Sequence, residues 1–127
     1  MNTMKELTKA EEQVMQILWN IGEGFVKDVI EHYDEPKPAY NTVSTIIRIL
    51  ETKGFVNHKA FGKTHQYFPL ILKEQYSKEL MGSVVKNYFS NSLHQLVSFF
   101  AKEEKMSVAE LEEIRLLMEE EIEKQKK

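Results

Sequence analysis

The stretch PAYNTVSTIIRILETKGFVNHKAFGKTHQYFP, from Pro38 to Pro69, decides the fold of this 127-residue chain. Its first half, Ala39 to Lys53, has a helical period, with apolar side chains on one side and polar side chains on the other. The apolar side consists of Val43, Ile46, Ile47 and Leu50, and the polar side of Asn41, Thr45, Arg48 and Thr52, with Ser44 at its margin. Gly54 suits the end of this helix, because glycine readily adopts the left-handed conformation that closes many helices.

Two alternating runs follow the helix, Phe55–Phe61 and Thr64–Pro69. Between them, Gly62 and Lys63 have the composition of a tight turn, so the runs are typical of a β-hairpin. Tyr67 is expected to pack beneath this hairpin. The stretch therefore predicts one well-defined helix and a two-stranded ribbon.

Two shorter helices are predicted upstream. Thr8 and Glu11 have the spacing of a capping box, and an apolar stripe that includes Trp19 as an expected core residue continues from there to Gly22. The residues from Phe25 to Tyr33 have the spacing of a second helix, which ends before a proline-containing loop. Three helices and a hairpin in this order predict a winged helix-turn-helix domain over residues 1–70, in a mainly α protein with a small β-hairpin wing.

Residues 71–127 are predicted to be a helical dimerisation domain. Apolar ridges run from Leu72 to Phe100, with an expected interruption at residues 90–92, and Ser107 with Glu110 forms another capping box before a last helix. A small helical region buries little of its own apolar surface, so a second copy of the chain is the simplest partner. The residues expected at this homodimer interface are Tyr88, Phe89, Leu93, Val97, Phe100, Leu111, Ile114 and Met118.

Charge is segregated along the chain, although the total is only −3. Residues 1–35 carry a net charge of −5, residues 36–70 one of +4, and residues 71–127 one of −2. A cationic segment on an acidic protein indicates one basic face, and a helix beside a basic hairpin suits the major groove and the flanking phosphates of DNA. The expected DNA-contact residues are Tyr40, Asn41, Thr42, Ser44, Thr45 and Arg48 on the helix, and Lys59, Lys63 and His65 on the hairpin.

Each of these contacts has a simpler alternative. Arg48 suits a guanine edge or a phosphate, but it also has the spacing for an ion pair with Glu51. Tyr40 suits stacking on a sugar or support of the helix start. Lys59 and Lys63 are also ordinary solvated hairpin charges.

Several chemistries are not indicated by the composition. The chain has no cysteine, so it has no disulfide, thiolate metal site or Cys nucleophile. No cofactor motif or ordered catalytic triad is found, and the four histidines lack the spacing of a metal site. No signal-peptide core or membrane-length apolar run occurs, so we expect a soluble cytoplasmic protein that is not inserted in a membrane and is not an enzyme.

The ordered set of motifs resembles the penicillinase repressor (BlaI/MecI/CopY) family over nearly the whole chain. The matching segments are Thr8–Trp19 as the opening helix, Tyr40–Gly54 as the recognition helix, Gly62–Pro69 as the wing and Leu93–Ser107 as the dimerisation segment. The resemblance implies a homodimeric repressor that binds an inverted-repeat operator in double-stranded DNA.

Two departures from the family pattern concern the inducing signal. The resemblance implies a proteolytic switch at an Asn–Phe bond under a membrane sensor protease, but the matching pair here is Phe99-Phe100. Copper-responsive relatives carry a C-terminal cysteine motif, which this chain lacks. The sequence therefore leaves the inducer, the operator, the target genes and the choice between repressor and activator open.

Two other functions remain open at this stage. One is a ligand-responsive winged-helix regulator of the multiple-antibiotic-resistance type, which would have a ligand pocket between the first helix and the C-terminal helices. The other is a winged-helix protein-interaction module without DNA binding, which would show no salt-dependent affinity for DNA.

Overall fold

A computed structural model describes residues 6–103 and 106–127 of the chain. The expected absence of a signal peptide concerns residues 1–5, which lie outside the described residues, as do residues 104 and 105 of the expected dimerisation segment. The order of elements is three helices, a hairpin and three further helices: α1 Lys9–Ile21, α2 Val26–Glu31, α3 Tyr40–Thr52, β1 Val56–Phe61, β2 Thr64–Pro69, α4 Lys73–Tyr88, α5 Leu93–Glu103 and α6 Val108–Lys126. The mainly α fold with a small hairpin is confirmed.

The first helix begins at the expected capping box. The Thr8 hydroxyl accepts a hydrogen bond from the Glu11 amide at 3.2 Å, and the Glu11 carboxylate accepts one from the Thr8 amide at 3.0 Å. These bonds satisfy two amides that have no partner within the helix. The helix ends at Gly22, whose φ of 88° is strained for a residue with a side chain.

The second helix is shorter than the expected span from Phe25 to Tyr33. Phe25 is its N-cap, and Asp28 accepts a hydrogen bond from the Phe25 amide at 2.9 Å. At the other end, Lys37 Nζ donates to the carbonyl oxygens of Glu31 at 3.0 Å and Tyr33 at 2.7 Å. The loop therefore supplies partners for carbonyls that a longer helix would have used itself.

The third helix and the hairpin follow the sequence prediction closely. Helix α3 is followed by Gly54 at φ 85°, and β1 pairs antiparallel with β2 in a register that sets Phe61 opposite Thr64. Gly62 lies in the turn between the strands at φ 63°. The hairpin also pairs with the rest of the domain, because Gly24 and Tyr67 exchange two backbone hydrogen bonds of 2.9 and 2.8 Å.

The core of the first compact unit lies between α1, α2, α3 and the base of the hairpin. Its fully buried side chains include Val14, Met15, Leu18, Val29, Val43, Ile47, Leu50, Phe55 and Val56. The expectation for Trp19 holds in part, since it is half-buried against this core and donates from Nε1 to the Ile71 carbonyl at 2.8 Å. The polar nitrogen of the indole ring thus keeps a partner at the edge of the core.

The chain divides into two compact units between Met81 and Gly82, later than the domain boundary expected after residue 70. The reason is that the start of α4 packs on the first unit. Tyr76 is buried in its core, and the Tyr76 hydroxyl accepts a hydrogen bond from the Leu7 amide at 2.9 Å.

The second unit contains the end of α4 with α5 and α6. The expected interruption between α4 and α5 is present, with Ser90 and Asn91 at φ 50° and 59°, and Ser92 Oγ accepts from the Gln95 amide at 3.2 Å. Neither α5 nor α6 has a buried residue among those described. In the described part of the chain, no helix combines the length and hydropathy needed to cross a membrane.

Candidate nucleic-acid interface

The outer face of α3 presents most of the polar residues that the sequence indicated. Tyr40, Asn41, Thr42, Thr45 and Arg48 are exposed on this face. The N-cap residue is Ala39, which supplies no side-chain hydrogen bond to the opening amides of the helix. The start of α3 therefore offers both short polar side chains and amides that lack a side-chain cap.

Arg48 is held by a residue on its own helix. One guanidinium nitrogen, Nη2, donates to Ser44 Oγ at 3.2 Å. Ser44 was expected to contact DNA itself, but it is only 8% exposed and its hydroxyl accepts from Arg48. In this structure Ser44 therefore positions Arg48 instead of presenting a free hydroxyl.

The alternative ion pair between Arg48 and Glu51 is not formed among the described residues. Instead, Glu51 Oε2 lies 2.5 Å from Nδ1 of His58 on β1. The ring of His58 stacks on that of His65, with centroids 3.9 Å apart and planes 6° apart. The Glu51 carboxylate is thus engaged by the hairpin, which leaves Arg48 directed to Ser44.

The wing carries its expected basic residues in two different settings. Lys59 lies 3.4 Å from the Glu23 carboxylate, but both side chains are about half exposed, so this pair contributes little to stability. Lys63 is exposed in the turn, and His65 is exposed on β2. Tyr67 is buried at the base of the hairpin as expected, and burial followed by the charge of Glu51 raises its pKa.

Lys53 was expected in the basic segment, but it is withdrawn from that surface. Its Nζ lies 2.7 and 2.9 Å from the two carboxylate oxygens of Glu11. Burial by itself would raise the pKa of Glu11, but the hydrogen bonds from Lys53 and Thr8 and the Lys53 charge outweigh it. The pKa consequently lies below the ordinary value of 4.5.

An open cleft of about 710 Å³ lies between α2, α3 and the wing. It is lined by aromatic, cationic and hydroxyl-bearing side chains from all three elements: Phe25, Val26, Lys27, Tyr40, Ser44, Arg48, Glu51, Lys63, Thr64, His65 and Tyr67. Sequence reasoning missed Lys27, because a single lysine in an acidic segment gives no signal. Only the fold brings it into the same cleft as Arg48 and Lys63.

The expected dimer residues in the second unit are mostly exposed. Tyr88, Leu93, Val97, Phe100, Leu111 and Met118 are exposed, whereas Phe89 and Ile114 are partly covered. The rings of Phe99 and Phe100 lie edge to face with centroids 5.4 Å apart. These helices therefore present a large apolar surface in the single chain.

The described residues contain no group of His, Cys, Asp and Glu side chains that could hold a metal ion.

The comparisons with known proteins agree with the fold and with the motifs. The sequence model of the penicillinase repressor family matches residues 7–120. The chain is 27% identical over 118 residues to the methicillin resistance regulatory protein MecI of Staphylococcus aureus (strain N315). This alignment covers 92% of this chain and 96% of that protein. It is 24% identical over 121 residues to the penicillinase repressor of Bacillus licheniformis, covering 94% of each.

The first unit is also similar to a solved structure. The solution structure of the DNA-binding domain of the repressor BlaI superposes with a TM-score of 0.51 and 26% identity, covering 60% of this chain and 94% of that domain. The match of the family model spans most of the chain, and the winged helix agrees with it in structure. The chain therefore belongs to the penicillinase repressor family.

Proposed function

We propose that this protein is a cytoplasmic, sequence-specific DNA-binding repressor that acts as a homodimer on an inverted-repeat operator. Membership of the family makes the chain a transcriptional regulator and not an enzyme. The observation that carries the proposal is the exposed polar face of α3, with Arg48 held in place beside a basic wing. A helix and a ribbon in this arrangement suit the major groove and the adjacent backbone of one operator half-site.

The proposed DNA contacts divide into two kinds. Asn41, Thr42 and Thr45 lie on the exposed first turns of α3, from which short polar side chains reach base edges and phosphates. Lys59, Lys63 and His65 lie on the wing and serve the backbone, which carries no sequence information directly. Ser44 contributes by holding Arg48.

The homodimer is supported by the apolar surface of the second unit. Tyr88 is 79% exposed and Leu93 68% exposed, and α5 and α6 bury none of their described residues. Soluble monomers rarely expose so much apolar side-chain surface, and a two-fold pairing of identical chains is the commonest way to cover it. We assign this role to the end of α4 together with α5 and α6, within the helical region expected after residue 70.

The induction route is a separate part of the proposal. The family resemblance implies cleavage of an Asn–Phe bond by a membrane sensor protease. In this chain Phe99 occupies the position of that Asn. We therefore propose that this chain is not released from DNA by cleavage at that bond. Incubation with a sensor protease of the family would contradict this if it cut between Phe99 and Phe100.

The experiment that tests the proposed function is selection of bound fragments from the genome, followed by fluorescence anisotropy on the selected duplex over a salt series. A repressor of this kind gives one symmetric sequence and an affinity that falls steeply with salt. Arg48→Ala is expected to weaken binding strongly. Arg115→Ala is the matched control, because Arg115 lies on α6 between Glu112 and Glu119.

Two results would overturn the proposed function. One is recovery of random fragments with no shared sequence. The other is equal affinity of the Arg48→Ala and Arg115→Ala proteins for the selected duplex. A chain with no salt-dependent DNA binding at all would favour the protein-interaction module.

A further inference from the structure

The cleft between α2, α3 and the wing is lined by three cationic side chains, one from each element: Lys27, Arg48 and Lys63. We propose that this cleft holds a phosphodiester group of the DNA strand, and that Lys27 is a DNA-contact residue. The inference rests on the proposed function and deepens it. The proposal also assigns a role to Arg48, because its guanidinium then contacts a phosphate of the DNA backbone and not a base edge.

The position of the cleft follows from the proposed docking. A helix in the major groove and a ribbon on the neighbouring backbone lie on the two sides of one sugar-phosphate strand. That strand must then pass through the space between α3 and the hairpin. The cleft of about 710 Å³ occupies this space and is open to solvent, so a strand can enter it from the side.

The chemistry of the lining fits a phosphate. Arg48 is oriented before binding by its 3.2 Å hydrogen bond to Ser44 Oγ, so less side-chain freedom remains to be lost when a ligand binds. A guanidinium offers several N–H donors in the planar geometry that matches phosphate oxygens. Lys27 and Lys63 are both exposed and line the same cleft, so they add positive charge to it.

The one carboxylate in the lining does not oppose this assignment. Glu51 lines the cleft, but its Oε2 lies 2.5 Å from His58 Nδ1. This carboxylate is the one acidic group among the lining residues, against the three cationic side chains, so the positive charges outnumber it. The fold thus directs Glu51 to the hairpin and leaves the three cationic groups for the ligand.

The test uses the full-length protein and its selected operator in fluorescence anisotropy, with Lys27→Ala and the control Lys9→Ala, an exposed lysine at the start of α1. Lys27→Ala is expected to weaken binding roughly three- to tenfold per half-site and to lower the slope of log affinity against log salt by about two, one for each subunit of the dimer. Lys9→Ala is expected to change neither. Circular dichroism of both variants verifies that they are folded.

The second measurement identifies the phosphate itself. A set of operator duplexes is made in which the phosphodiester at one position of each half-site is replaced by an uncharged methylphosphonate. At one position this replacement is expected to weaken the wild type by at least the factor that Lys27→Ala costs, and to weaken the Lys27→Ala protein less. This non-additivity is the signature of a direct contact. The methylphosphonate at that position is also expected to weaken binding by the Arg48→Ala protein less than binding by the wild type. Arg48→Ala is also expected to lower the affinity for matched and for mismatched operators by the same factor.

Failure of the inference is distinguishable from failure of the proposed function. If the wild type selects and binds an operator but Lys27→Ala matches Lys9→Ala at every salt concentration, the inference is wrong and the repressor assignment stands. The inference is equally wrong if Arg48→Ala relaxes the preference at one base pair, which is the mark of base reading. If the wild type selects no sequence, the proposed function itself fails.

Discussion

Replacing Lys53 by methionine tests the ion pair that joins the end of α3 to the start of α1. Lys53 is the C-cap residue of α3, and Glu11 belongs to the first turn of α1. The Glu11 side chain is 7% exposed and that of Lys53 is 21% exposed. In Lys53→Met the Glu11 carboxylate stays buried and keeps only its bonds from Thr8, so we expect the free energy of unfolding to fall by about 2–4 kcal/mol.

The pH dependence of this loss has a definite sign. In the wild type the pKa of Glu11 is below its ordinary value of 4.5, so its stabilising effect is present above that pH and is lost as the pH falls through the lowered pKa. Without Lys53 two of the influences that lower the pKa are gone, so the pKa of Glu11 is higher in the variant than in the wild type. The variant carboxylate is therefore neutralised at a higher pH, and the stability difference between the two proteins should shrink as the pH falls toward and below 4.5.

The assay is urea unfolding at several pH values, followed by the fluorescence of Trp19, the only tryptophan in the chain. Trp19 packs against the same core, so it reports on the unit that contains the pair. The control is the pair Glu11→Gln and Glu11→Gln/Lys53→Met, because neither protein has the titrating carboxylate and the stability difference between these two should not change with pH. If the difference in unfolding free energy between Lys53→Met and the wild type is the same at all pH values, the reasoning is refuted.

Three further predictions concern other parts of the fold. Gly54→Ala, at φ 85°, should destabilise the protein by about 1 kcal/mol, whereas Gly82→Ala, inside α4 with open space at its Cβ position, should stabilise it by about 0.5–1 kcal/mol in thermal unfolding. Tyr76→Phe removes the buried hydrogen bond from the Leu7 amide and should cost about 1–2 kcal/mol in urea unfolding. Val97→Glu places a charge on the exposed apolar face of α5 and should shift the protein toward monomer in analytical ultracentrifugation.

Each of these has a contrary outcome. Equal changes in the unfolding temperature of the two glycine variants would contradict the conformational argument. An unchanged free energy of unfolding in Tyr76→Phe would show that the Leu7 amide finds another partner. A Val97→Glu protein that sediments like the wild type would remove this face of α5 from the proposed interface.

The local signals in the sequence were sufficient for most of the fold. The capping boxes at Thr8 and Ser107 depend on residues three positions apart, and both are present as predicted. The hairpin turn at Gly62 is equally local. The extent of α2 was missed because it depends on Lys37, which lies in the loop beyond the helix and bonds to its last carbonyls.

The candidate site was less predictable, because its contacts join distant parts of the chain. Lys53 contributes to the positive charge of residues 36–70, but nothing in the local sequence shows that it meets Glu11 across 42 positions. Lys27 lies in a segment of net negative charge and becomes part of the basic cleft only through the fold. Ser44 lay at the margin of two helix faces, where periodicity does not decide between burial and exposure.

The backbone pairing of Gly24 with Tyr67 has a consequence for the mechanics of recognition. Two hydrogen bonds form an isolated β-bridge between the loop after α1 and β2, so the ribbon is fastened to the rest of the domain at its base. A free two-stranded hairpin is only marginally stable and would have to be ordered when it meets its ligand. The spacing between α3 and the hairpin is therefore fixed before the protein meets its ligand. A DNA duplex whose groove width differs from that spacing must be deformed in order to bind. Because the free energy of this deformation depends on sequence, affinity depends also on base pairs that the protein does not touch.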